Sequence, residues 1–320
     1  MKISKRSRLL LRCPVCGADL LIDENDAECL CTGSQCATRF PIVDGIPVLI
    51  NDTNSAFAID DFRERRNTTF RSTSLPSRII RKVGAALPQL TGNTTATANY
   101  QKFAEMLLER ASPNVLVIGG GIIGQGMDVL LATQVIEFVE TDVAFGTQTQ
   151  LICDAHDLPF IDQSFDGVVA QAVLEHVADP QRCVEEIYRI LKPKGVVYAE
   201  TPFMQQVHLG RYDFTRFTHL GHRRLFRRFD EIVSGATAGQ GTVLAWSHRY
   251  LLLGLVQSEI GIVIVKAFAQ LGLFWLKYLD RFLMHRRGVF DGASGYYFLG
   301  SKSDKIFSDR ELIKQYRGIL

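Results

Sequence analysis

Little in the composition of this chain settles its nature by excess. Its 320 residues carry 36 Lys and Arg against 34 Asp and Glu, a net charge of +2. No global field therefore argues for a nucleic-acid or membrane partner, and such a claim needs a local patch. Seven cysteines are few for a disulfide scaffold of this length, and only Cys153 and Cys183 lie beyond residue 36. Prolines number 10, and no residue type or internal repeat dominates, which excludes collagen, low-complexity fibres and disorder. The opening MKISKRSRLLLRCPVC has only residues 9–11 as an unbroken apolar run, short of the roughly 7–15 residues of a signal-peptide core. A cytoplasmic chain is expected.

What is present divides along the chain. At 47% hydrophobic, the sequence can build a sizeable core and a second module. Residues 1–50 form a cysteine-rich head ending in RFPIVDGIPVLI, where Asp44 and Gly45 predict a hairpin turn. Residues 51–97 read as linker with one short helix over 79–86. From residue 98 to 320, apolar runs (VLVIG, VIEFVE, LIC, FDGVVA, GVVYAE) alternate with helical patterns, which predicts an α/β domain on a mainly parallel sheet. A helical insertion over about 246–287 precedes a last strand, GYYFLG.

Five cysteines crowd the head, which points to a metal. Cys13-x2-Cys16, followed by Gly17, makes a knuckle, and Cys31-x4-Cys36 supplies a second pair, with Cys29 competing for the place of Cys31. Four thiolates fill a zinc tetrahedron and leave no open position, so the expected zinc is structural. CPVCGADL and CTGSQCATRFPIVDGIPVLI resemble the small zinc-ribbon proteins that activate tRNA and release-factor methyltransferases. A zinc ribbon ahead of a methyltransferase core is also similar to a ribosomal-RNA guanine methyltransferase, which keeps an RNA acceptor as an alternative.

VLVIGGGIIGQG sets a strand before Gly119, Gly121 and Gly124 in the G-x-G-x-x-G spacing, with Asp142 about 20 residues on to hold ribose hydroxyls. Alone, the motif fits a dinucleotide site, and GGGIIG resembles flavin-dependent amine oxidases. The ordered set DAHDLPF, SFDGVVAQAVLEHVADP and LKPKGVVYAETPF instead resembles class I S-adenosylmethionine-dependent methyltransferases. That resemblance covers residues 98–235 and GYYFLGSK. It implies a Rossmann-like sheet, mostly parallel with an antiparallel last strand, and S-adenosylmethionine (SAM) as methyl donor. Gly119 and Gly121 match the loop under the methionine part, and Asp142 the ribose acid. Asp154 and Ala155 match the pair beside the adenine, and Gln171 with Ala172 the edge of the methyl-transfer pocket. Val117 departs from the pattern, standing where the family often has an acid for the ligand's amino group.

The acceptor side is expected in TPFMQQVHLGRYDFTRFTHLGHRRLF, beyond a strand's carboxyl end, where α/β sheets gather ligands. There His208 is the expected general base, Asp213 orients it or replaces it, and Arg216 binds an anionic acceptor. His176, next to Glu175, reads equally as a packing residue or part of the site. The loop resembles methyltransferases of polysaccharide, lipopolysaccharide and natural-product pathways, implying an O or N nucleophile on a small, glycan or lipid-linked acceptor. Arg223, Arg224, Arg227 and Arg228 form a basic cluster, read as a solvated face or an RNA or acidic-lipid contact. The apolar run 250–283 is interrupted by Glu259 and Lys266 before about 18 clean apolar residues accumulate, so no transmembrane span is expected. Its expected uses are core or lid packing, a homodimer interface, or docking at the inner membrane surface with Arg281, His285, Arg286 and Arg287 toward headgroups. A non-catalytic scaffold with a degenerate core is the third alternative.

Overall fold

All five residues of NVLVI, β5 (Asn114–Ile118), are buried, as the central strand of a sheet covered on both faces requires. The computed structural model describes residues 1–23, 27–66, 68–69 and 88–319; the helix expected over 79–86 falls outside them. Around β5 lie β6 (Glu137–Asp142), β7 (Leu151–Cys153), β8 (Phe165–Gln171) and β9 (Leu191–Pro202), all parallel. Beyond β9 come β11 (Gly295–Lys302) and β10 (Phe229–Ala238), with β11 antiparallel to both neighbours. This is a Rossmann-like arrangement, and its reversal of strand order at β5 and β8 opens a crevice above their carboxyl ends.

Helix Ala96–Leu108 buries Tyr100, Phe103 and Leu107 against one face. Helix Pro180–Ile190 covers the other with Cys183, Val184, Ile187 and Ile190, started by Asp179 as N-cap and Pro180 in the first turn. Cys153 and Cys183 are both buried.

The head joins this sheet. Its strands β1 (Leu20–Ile22), β2 (Glu28–Cys31), β3 (Arg39–Val43) and β4 (Ile46–Leu49) pair antiparallel in sequence, turning at Asp44-Gly45. β4 then lies parallel to β7, with Val48 opposite Ile152 and Leu49 opposite Cys153. Phe40, Ile46, Val48 and Leu49 share one apolar cluster with Val139, Ile152 and Phe160. At about 2 kcal/mol per buried side chain, this seam holds the head as part of the main core.

The insertion between β10 and β11 contains helices Gln240–Leu253 and Glu259–Leu273, a 3-10 segment Phe274–Leu279 and helix Asp280–Leu283. Buried Asp280 ties it together, accepting from the Gly241 N–H at 2.7 Å and from the Thr242 hydroxyl at 2.7 Å. Core packing, one of the expected uses, does not describe the outer face. Leu255, Ile260, Ile264, Phe268, Leu271, Trp275 and Phe282 are each more than half exposed. By length and composition, Glu259–Leu283 could cross a membrane, at mean hydropathy 1.7 with 11% of its window buried. However, β10 and β11 flank the insertion and pair with each other, so a single crossing would put two paired strands on opposite sides.

Candidate functional site

Two adjoining cavities open above the carboxyl ends of the central strands. The first, about 280 Å³, is lined by Gly119, Asp142, Asp154, Ala155, Val173 and Tyr212, among others. The second, about 440 Å³, is lined by Gly124, Gln171, Glu175, Glu200 and His208, among others. Gly119, Ala172, His176 and Leu209 form the shared wall.

The glycine loop needs its glycines for close approach. Gly119 has φ +72°, and a Cβ there would stand 2.6 Å from Val173 Cγ2. A Cβ on Gly121 would meet Asp142 Oδ2 at 2.6 Å, and instead the Gly121 N–H donates to that oxygen at 2.9 Å. Gly121 thus backs Asp142, while Gly119 reaches the cavity. Burial raises the Asp142 carboxyl above its usual range against the N–H groups of Gly121, Val143 and Ala144. The cradle of backbone, acids that include Asp142 and Asp154, and apolar walls fits an adenosyl ligand.

Asp154 is held by the His156 N–H at 3.0 Å, the His156 ring at 2.6 Å and the Ser55 hydroxyl at 2.5 Å. Burial opposes its charge, but these donors keep its carboxyl below the usual range. Ser55, Asn54 and Phe57 come from the segment read as linker; Asn54 and Phe57 line the cavity, and Phe57 stacks on Tyr212 at 5.5 Å.

Gln171 ties the second cavity's floor. Its oxygen accepts from the Tyr100 hydroxyl at 3.0 Å, and its amide donates to Glu200 at 2.9 Å and to the Gln125 carbonyl at 3.2 Å. Glu200, raised by burial, also accepts from Asn93 and the Tyr198 hydroxyl. Composition and periodicity gave no signal for Asn93 or Glu200.

The acceptor loop departs from expectation at Arg216 and in one of the two roles open to Asp213, that of base, while the orienting role agrees with the geometry. Asp213 has a side chain only 1% exposed and is paired bidentately with Arg216. Despite the penalty of burial, Arg216 and the His208 N–H bring its carboxyl to about 2, too weak a base to serve in place of His208. Arg216 does not await an anionic acceptor: besides Asp213 it donates to the carbonyls of Gln205, Gln206 and Thr215. The pair braces His208, whose Nδ1 lies 3.4 Å from Asp213 Oδ2 while its Nε2 faces Glu175 Oε1 at 3.8 Å. His219 and His222 are core residues, and burial lowers them to about 4 and about 3.

Glu175 is the residue the sequence reading passed over. It is fully buried beneath the second cavity, and neither carboxylate oxygen has a hydrogen-bond partner among the described residues. Burial raises its carboxyl to about 8. The signal was an acid beside a histidine directly after a strand that ends in the site.

The basic cluster is spent internally. Arg223 is buried and donates to the carbonyls of Phe226 and Phe229, Arg224 and Arg227 pair with Asp309, and Arg228 lies over the Tyr188 ring at 3.7 Å.

In the head, the four thiols Cys13, Cys16, Cys31 and Cys36 converge with their sulfurs within 4.8 Å of one another. Cys16 and Cys31 stand 3.4 Å apart and Cys13 and Cys36 3.7 Å, near the roughly 3.8 Å between sulfurs that tetrahedral zinc bonds of about 2.3 Å imply. Cys31 takes the third place; Cys29 lies in the core from β2.

Residues 126–199 match the family described as Methyltransferase domain. Over 60 residues the chain is 42% identical to a demethylmenaquinone methyltransferase of Symbiobacterium thermophilum, covering 18% of this chain and 24% of that enzyme. It is 39% identical over 59 residues to 2-methyl-6-phytyl-1,4-hydroquinone methyltransferase 2, chloroplastic, of Oryza sativa subsp. japonica, covering 18% and 17%. The chain thus spans about a quarter or less of the length of these relatives. A SAM-dependent methyltransferase of Archaeoglobus fulgidus of known structure aligns at TM-score 0.40 and 16% identity, over 66% of this chain and 95% of that one. The matched segment, residues 126–199, lies on the Rossmann-like sheet described above.

Proposed function

We propose that this protein transfers a methyl group from SAM to an oxygen or nitrogen nucleophile of a small acceptor. The observation that carries the reading is the first cavity, whose lining brings together Gly119, Asp142, Asp154 and Ala155, with Asp142 taken to hold the ribose diol and Asp154 and Ala155 to flank the adenine. Bound there, SAM supplies an already electrophilic methyl on a positive sulfonium. The protein's task is then alignment, holding the nucleophile in line at about 3 Å, and removal of its proton. The shared wall of Gly119, Ala172, His176 and Leu209 is where donor and acceptor meet. His208 faces the acceptor, held by Asp213 and Arg216. Calorimetry with SAM tests this: saturable heat at one equivalent is expected. No heat with SAM, and saturable heat with a flavin or nicotinamide, overturns it.

The insertion indicates how the acceptor arrives. Its exposed apolar side chains are accompanied by six Lys and Arg over 246–287 against Glu259 and the buried Asp280. An apolar face with a basic rim fits the surface of an anionic bilayer, and the topology keeps it on one side. The two quinone-type relatives are named for acceptors that include a menaquinone and a phytyl hydroquinone, which agrees with an apolar, membrane-resident acceptor. Vesicle flotation tests this. Binding to phosphatidylglycerol vesicles exceeding that to phosphatidylcholine is expected; a stable dimer in solution with no vesicle binding would assign the face to a second copy. The four-thiol cluster, in this reading, holds a structural zinc ion that closes the head.

A further inference from the structure

Where the two cavities meet, three potential metal ligands point at one another. Glu175 Oε1 lies 3.6 Å from His176 Nε2 and 3.8 Å from His208 Nε2, and all the group's ligand atoms fall within 4.8 Å. These separations are too long for hydrogen bonds. They are near what one cation among them would impose, since bonds of about 2.1 Å place neighbouring ligand atoms about 3.0–3.4 Å apart.

Three further features fit. Both Glu175 oxygens lack a hydrogen-bond partner among the described residues although the side chain is wholly buried, an arrangement that costs stability unless something meets the carboxylate. Each histidine has its Nδ1 turned to an acceptor: His176 to the Tyr212 carbonyl at 2.8 Å, and His208 to Asp213 at 3.4 Å. That leaves both Nε2 lone pairs facing Glu175, the tautomer that metal-ligating histidines adopt when an outer partner fixes the other nitrogen. The loop carrying Asp213 is itself anchored to this spot, because the Phe214 N–H donates to the Glu175 carbonyl at 2.8 Å.

We propose that Glu175, His176 and His208 bind a divalent cation that coordinates the oxygen of a hydroxyl-bearing acceptor. This deepens the methyltransferase reading and rests on it. Two imidazoles and one carboxylate on one side of an ion leave positions open toward the second cavity, and the set suits Mn2+, Fe2+ or Zn2+. Coordination lowers the acceptor hydroxyl's pKa, so its proton passes to water. The oxygen lone pair then forms the O–CH3 bond, the S–CH3 bond breaks, and its electron pair stays on sulfur as the neutral thioether. His208 serves here as a ligand, with Asp213 and Arg216 as its positioning residues. A vicinal diol or catechol, offering two oxygens to the ion, is the acceptor class that the open positions favour.

The test uses the full chain, with Mn2+ as probe, because thiolates compete poorly for this hard ion. Metal content of the purified protein is measured, and MnCl2 is titrated while the free-ion electron paramagnetic resonance signal is followed. Resident metal plus bound Mn2+ should total one equivalent per chain beyond the cysteine cluster. Glu175→Gln and His208→Asn should each weaken that site at least tenfold while SAM affinity by calorimetry stays within threefold. His208 is on the cavity surface, so its variant guards against a folding defect in the Glu175 variant. A wild-type protein holding no metal beyond the cysteine cluster's share overturns the proposal, as does undiminished binding in both variants. Failure of the wild type to bind SAM overturns the underlying methyltransferase reading instead.

Discussion

Asp142→Ala is the substitution that most directly probes the donor cavity. The carboxylate is 9% exposed, and its Oδ2 is fixed by the Gly121 N–H at 2.9 Å, so it cannot swing away and be replaced by a neighbour. Two ribose hydroxyls on a charged acceptor are worth about 1.5–3 kcal/mol each, of which desolvation of the already buried acid returns part. A net loss of about 3–4 kcal/mol is expected, or roughly 140- to 700-fold in the Kd for SAM at 1.4 kcal/mol per factor of ten. The variant also leaves the Gly121 N–H unpaired, at a cost of about 1–2 kcal/mol in stability, which a thermal melt measures separately. Calorimetry on wild type and variant at one temperature, below both melts, reads the affinity. A SAM Kd within about threefold of wild type, in a variant that still melts cooperatively, would refute the assignment of this acid and of the cavity it closes.

Zinc content should separate the two candidate third ligands: in a Glu175→Gln background, Cys31→Ser loses the ion retained through gel filtration, whereas Cys29→Ser keeps one equivalent, and the reverse pattern sinks the assignment. Trp275→Ser and Phe268→Ser, at side chains 52% and 64% exposed, should each weaken binding to anionic vesicles by about tenfold without moving the melt, and an unchanged flotation profile counts against bilayer docking. Asp166 anchors the base of the sheet through Lys192 at 2.7 Å, Arg110 at 3.2 Å and the Asn114 N–H at 3.0 Å. Although burial pulls the other way, these partners depress its carboxyl in the folded state, so its contribution is present above the unfolded value near 3.9 and is lost as pH falls through the folded one. Asp166→Asn should therefore cost about 2 kcal/mol by denaturant melts at pH 7 and progressively less below about pH 4, and a pH-independent difference would contradict the ion-pair account.

What was legible from the sequence follows from which interactions are local. Strand β5 and the turn at Gly119 show in a few consecutive residues, because a buried parallel strand is apolar throughout and a sharp turn demands glycine. The four-thiol cluster is nearly as local, and only the choice of Cys31 over Cys29 waited on the fold: the two share a face of β2, but Cys29 lies inside the apolar core while Cys31, at the strand's end, sits among the other three thiols. The acceptor site is different in kind. Whether Arg216 meets an anion or Asp213 depends on how a loop folds back over Glu175, and a charged residue's partner is invisible until that path is known. The same holds for the four clustered arginines, which look like a phosphate-binding face in sequence yet are consumed by Asp309, Tyr188 and backbone carbonyls. Segment 51–66, polar and without periodicity, read as linker, but Ser55 reaches Asp154 and Phe57 stacks on Tyr212, because a cavity edge needs only single side chains at chosen points. Glu175 is the sharpest case. Its residue type argues for the surface, and only its position after β8, with two histidine nitrogens beside it and no hydrogen-bond donor within reach among the described residues, turns an ordinary acid into the site's most informative side chain.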